Sequence, residues 1–288
     1  MRRSLLGAAS AAFLFVAATV AVLEAHDFWI IPDAFSVEAG APVGLRGQTS
    51  SLYPTSVSAV TPDRIVKARV LTAADSHLVR EAAVSGTSLR LAYGPNVSGQ
   101  HVVAVQLAPR NVRETPESFR RYLDLEGAPE ARTRYEREGK LPPVGGDSIT
   151  RRYAKYAKTF VEVGQGPRAF TRVAGHPLEL IPLSDPASAR TGDTLRFRVV
   201  LLGQPLVGAK LHAGSIPMTA SLSDTAAARR AARFDVDVTS DGEGIARIVV
   251  GRAGIWNLRT IQIVPATGGS GADWDVHWAT LTFGVRPR

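Results

Sequence analysis

Short runs that either alternate apolar with polar residues or are rich in β-branched ones recur along most of the chain after residue 30. Residues 64–71, 88–91 and 101–107 have this character, and Gly, Pro, Asn and Ser separate them. From residue 115 to about 163 the period becomes helical. Thr115, Pro116 and Glu117 supply an N-cap, a first-turn proline and an early carboxylate, and Phe119, Tyr122, Leu123 and Leu125 follow at helical spacing. A second helix is expected over residues 151–160, after the Pro-Pro-Val-Gly-Gly break at 142–146. Strands resume from residue 179, with runs at 194–202, 209–212, 233–238, 245–250, 254–259 and 278–285. Ser-Asp-Gly-Glu-Gly at 240–244 reads as a hairpin turn.

This pattern predicts a mainly β protein of two Ig-like β-sandwich domains joined by a helical bridging segment. Residues 26–110 are expected to form the N-terminal sandwich, 111–169 the helical bridge or insertion, and 170–288 the C-terminal Ig-like sandwich.

The amino end concerns compartment rather than fold. Arg2 and Arg3 precede an apolar run from Leu5 to Leu23, and Leu23 and Ala25 suit the −3 and −1 positions of a signal-peptidase site. A retained anchor is the competing interpretation, since the run is about as long as a membrane span. Its alanine-rich composition favours removal of residues 1–25 as a signal peptide. The expectation is a periplasmic protein that begins at His26 and keeps no stable membrane span. The remaining chain suits two domains of ordinary size.

There is no cysteine, so disulfides and thiolate metal sites are excluded. The net charge of +8 comes from dispersed arginines without an aromatic-interleaved basic stripe, and no nucleic-acid partner is expected. The elbow, metalloprotease, phosphate-loop and dinucleotide motifs of enzymes are missing, so no enzymatic activity is expected.

Several segments resemble the DUF4198 family in their order. They are His-Asp-Phe-Trp at 26–29, Arg-Tyr-Ala-Lys-Tyr-Ala-Lys at 152–158, residues 175–183, Gly-Gln-Pro-Leu-Val-Gly-Ala at 203–209 and the closing segment 274–283. The resemblance spans essentially the whole mature chain. It implies Ig-like modules and a periplasmic role linked with nickel or cobalt uptake, with a membrane metal transporter as possible partner. It brings no catalytic residue.

A chain cleaved after Ala25 would carry an α-amine and an imidazole on His26, a ready chelate for a divalent transition metal such as nickel, cobalt or copper. Position three holds Phe28 where an amino-terminal metal motif would want histidine, so further ligands must come from elsewhere. In an extended strand Asp273, Asp275 and His277 line one face, while Trp274, Val276 and Trp278 occupy the other. The expected site joins His26 and His277, with Asp275 or Asp273 as ligands or orienters and His101 in reserve. A hydrogen-bonded rim histidine is the plainer account of His277. His77, His176 and His212 read as a solvated loop residue, a turn residue and a satisfied surface residue. The alternative function is a non-catalytic Ig-like module that binds protein or glycan. A copper oxidase with a histidine amino terminus ranks below both.

Overall fold

The computed structural model describes residues 26–288 apart from Gly127, Phe234 and Gly268. The proposed signal peptide lies outside the described residues. Among these the strands form three sheets. The first runs Asp27–Pro32, Val43–Ser50, Ser88–Tyr93, Glu81–Ser85 in spatial order. The largest runs Val236–Thr239, Lys210–Ile216, Gly254–Pro265, Trp274–Val285, Ile149–Val163, Gly99–Leu107, Ile65–Leu71, Ser76–Leu78. In the third, Thr194–Leu201 lies between Leu178–Pro182 and Ile245–Val249.

The mainly β, sandwich-forming class expected from the alternating runs is what the chain adopts, and the large sheet serves both sandwiches. Phe28, Ile30, Leu45 and Leu91 of the first sheet pack on Val70, Val103, Val105 and Val161 of the large one. Leu180, Phe197, Val199 and Ile248 of the third sheet pack on Phe160, Leu211, Leu258 and Phe283. Continuity comes from the parallel pairing of Ile149–Val163 with Trp274–Val285, in register from Arg151 opposite Trp274 to Thr159 opposite Thr282.

The helix expected over residues 151–160 is therefore a strand. Tyr153, Tyr156 and Phe160 imitate a helical stripe by spacing, but Tyr156 and Phe160 serve one core while Ala157 and Val161 serve the other. Three cations that would suit a solvated helix face are instead paired. Arg151 meets Glu114 at 2.6 Å, Arg152 meets Asp275 at 2.7 Å, and Lys158 meets Glu179 at 2.8 Å.

The first expected helix is present. Helix α1, Pro116–Leu125, starts where the Thr115 hydroxyl accepts from the Ser118 amide at 3.2 Å, and it buries Phe119, Tyr122 and Leu123 against Trp274, Val276 and Trp278. A further helix, α2 at Pro129–Arg137, carries so many charges that its periodicity is hidden in the sequence. It docks by the Tyr135 hydroxyl, which donates to the Ile263 carbonyl at 2.8 Å.

The turn at 240–244 forms, closed by Asp241, whose side chain accepts from the Glu243 and Ile245 amides at 3.0 Å each. It is not a hairpin. Val236–Thr239 pairs with Lys210–Ile216 and Ile245–Val249 with Thr194–Leu201, so the turn crosses from one layer to the other. No helix among the described residues is long and apolar enough to cross a membrane.

Candidate functional site

The strand Asp27–Pro32 is buried along its whole length. Its even residues Phe28 and Ile30 enter the first sandwich core, and its odd residues Trp29 and Ile31 pack with Ile216 and Ile255. Water is thereby excluded from both faces, and the strand has one resting place. Its start is tied down by charge. The Arg259 guanidinium donates to Asp27 Oδ2 at 2.7 Å, the Lys155 ammonium donates to the His26 carbonyl, and the Thr280 hydroxyl donates to the Phe28 carbonyl at 2.7 Å. Burial pulls the Lys155 ammonium down to about 8, with the Asp27 carboxylate acting against that shift.

The structure does not bring His26 and His277 to one ion. Adjacent residues of a strand point to opposite faces. Lys155 holds His26 on one face of the large sheet, and its neighbour Tyr156 meets His277 on the other, hydroxyl to Nδ1 at 3.1 Å. The sheet itself separates the two histidines. The strand parity of the closing segment is as expected: Trp274, Val276 and Trp278 are buried under the helices, and His277 stands at the rim above Ala279, Leu281 and Phe283.

The other expected ligands are committed elsewhere. Asp275 accepts from Arg152 at 2.7 and 2.9 Å, and Asp273 accepts from the Thr150 amide at 2.7 Å. His101 is fully buried, one ring nitrogen facing the Tyr93 hydroxyl at 3.1 Å and the other the Val97 carbonyl at 3.0 Å. It is a core residue, and burial lowers its pKa. Burial likewise lowers that of His277. Among the described residues no three His, Asp or Glu side chains converge as a cage for an ion.

On the His26 face, the register aligns Asp237, His212, Arg259 and Thr280 across neighbouring strands. The His212 ring lies between two carboxylates, Nδ1 at 2.7 Å from Asp237 and Nε2 at 3.1 Å from Asp235. The hydrogen bond with Asp235 is the main reason its pKa is raised. His212 and Arg259 also help to wall two neighbouring cavities of about 190 and 280 Å³. Sequence reasoning missed this group. Its only local signal is Asp-Val-Asp at 235–237, and the rest depends on which strands become neighbours.

Fold and site together define a β-sandwich protein with a pinned amino-terminal strand and polar cavities beside it. The family model described as "Domain of unknown function (DUF4198)" matches residues 23–263, and the chain belongs to that family. No curated protein matches. Among solved structures the chain is similar to the mouse nectin-like molecule 4 ectodomain (Ig1–Ig3), at 11% identity and a TM-score of 0.21, over 91% of this chain and 64% of that one. It is similar to the Escherichia coli adhesin FdeC at 13% identity and a TM-score of 0.22, over 91% and 64%. For elastase-activated Escherichia coli alpha-2-macroglobulin the values are 12% and 0.23, over 91% and 20%. The chain thus spans less than two thirds of each, and similarity at these scores carries no functional information.

Proposed function

We propose that the chain is a periplasmic, non-enzymatic protein that binds a divalent transition metal, nickel or cobalt above all, through His26 and delivers it to a membrane transporter. The observation that carries this proposal is the pinning of the strand start by Arg259 at Asp27 and by Lys155 at the His26 carbonyl. An α-amine freed by cleavage after Ala25, together with the adjoining imidazole, would hold a fixed place on the surface instead of moving on a tail. Amine and imidazole suit ions of borderline softness. Two nitrogens from one residue leave most of the coordination shell to water or to an accepting protein, which favours transfer over storage. The sequence resemblance to uptake-linked proteins supports the same direction.

The test is calorimetric titration of nickel into protein whose His26 start has been verified by mass. His26→Ala is expected to weaken binding about tenfold or more, as is one extra residue before His26. His277→Ala and His77→Ala are expected to leave affinity unchanged. Equal affinity in the parent and all four variants would remove the metal role and leave the protein- or glycan-binding module as the better account.

A further inference from the structure

The smaller cavity, about 190 Å³, lies where the first strand meets helix α3, Thr225–Ala232. Three residues of its wall carry a buried polar atom without a hydrogen-bond partner: Asp27 Oδ1, Asp235 Oδ1 and the Tyr53 hydroxyl. Asp27 is only 2% exposed. Leaving one such group unsatisfied costs about 1–3 kcal/mol, so this wall has hydrogen-bonding capacity that its own residues do not use.

Charge decides what kind of donor. The other oxygen of Asp27 takes the Arg259 guanidinium at 2.7 Å, and the other oxygen of Asp235 takes the His212 ring at 3.1 Å. The Arg252 guanidinium adds positive charge 3.7 Å from Asp235 Oδ1, too far for a hydrogen bond. Both carboxylates are therefore compensated in charge while each keeps an unused acceptor, which suits hydroxyl donors better than a cation. Asp27 and Asp235 also belong to no convergent group of three ligand side chains among the described residues, of the kind that would hold a metal ion.

The site is held in shape before anything enters it. Tyr53 stands edge-on to Trp29 with ring centroids 5.2 Å apart. Gly214 leaves room for the Asp235 carboxylate, since a Cβ there would meet both of its oxygens at 2.9 Å. Leu52, Ile216 and Ala231 contribute apolar wall. The volume is below that of drug-sized pockets and has room for one small ring.

We infer that this cavity binds a small, uncharged, hydroxyl-rich compound, a single sugar ring or a polyol of that size, whose hydroxyls bond to its polar wall at Asp27, Tyr53 and Asp235. The cavity shares the Asp27–Arg259 pair with the anchored start of the strand but does not rest on metal binding at His26.

The experiment is NMR titration of the processed chain with glucose, galactose, mannose, ribose, glycerol and myo-inositol, with methylamine and nickel as probes of the competing chemistries. At least one sugar or polyol is expected to shift resonances of residues around Asp235. Asp235→Asn should weaken that binding about tenfold. Ala231→Phe, which fills the cavity from helix α3, should abolish it, with folding checked by the melting transition. His26→Ala should leave it unchanged while weakening nickel, so failure of either proposal is distinguishable from failure of the other. The inference is overturned if no member of the panel binds the folded protein, if binding survives both cavity variants, or if methylamine or nickel occupies the cavity in preference.

Discussion

Glu179→Ala is expected to destabilise the protein by about 3–5 kcal/mol, the range for removing one partner of a buried ion pair. Lys158 and Glu179 are among the most deeply buried charges of the chain, with side chains 2% and 1% exposed. The Lys158 ammonium donates to Glu179 at 2.8 Å and to the Leu180 carbonyl at 3.1 Å. The same carboxylate accepts the amides of Ala174, Gly175 and His176 at 2.7, 2.9 and 3.1 Å. Burial works to raise the Glu179 carboxyl, but Lys158 and the Ala174 amide act against it, and the carboxyl is held below its ordinary value. Alanine would leave an ammonium and three amides to find other partners inside the second sandwich. Urea unfolding should show a lowered midpoint with an unchanged slope. A loss under about 1 kcal/mol would mean that the pair closes over water and does not join the sheets.

Acidification from pH 6.5 toward 4 is expected to destabilise the fold by an amount on the order of 3 kcal/mol through His176 alone. Its ring is stacked on Tyr156 with centroids 5.3 Å apart, and burial pushes its pKa down to about 4. In that window the unfolded chain takes up a proton that the folded chain refuses, so stability present above 6.5 is lost as the pH falls. His101 and His277, also lowered by burial, act in the same sense. His212 opposes them. Its pKa is raised, so its contribution is complete below 6.5 and disappears as the pH rises through the folded value. His176→Phe keeps a ring on Tyr156 and should flatten the acid side of a stability–pH profile. An unchanged slope in that variant would remove His176 as the cause.

Much of this architecture was legible along the chain because a half-buried strand announces itself by alternation, as residues 194–201 do, and a strand buried on both faces by a short apolar, β-branched run, as 101–107 do. The long strand at 149–163 was not, because it faces two cores and pairs its cations inside the protein. Only the partners Glu114, Asp275 and Glu179, distant in sequence, make Arg151, Arg152 and Lys158 acceptable there. The candidate site was legible to the same depth. The parity of Asp275 and His277 against Trp274 and Trp278 follows from the period of a strand. Which sheet face His26 reaches does not, since it depends on the parallel pairing of two strands more than a hundred residues apart. His212 looked like an ordinary surface histidine until Asp235, Asp237 and Arg259 were placed around it by neighbouring strands.

The central claim, capture of a metal by the amine and imidazole of His26, is tested most directly by electron paramagnetic resonance of bound copper(II). Copper serves here as a spectroscopic stand-in for nickel or cobalt. Protein beginning at His26 should give a spectrum with two inequivalent nitrogen ligands, one of them an imidazole. That signal should be lost in His26→Ala and changed when one extra residue precedes His26. A spectrum identical in all three proteins, or carried instead by His277, would contradict the account.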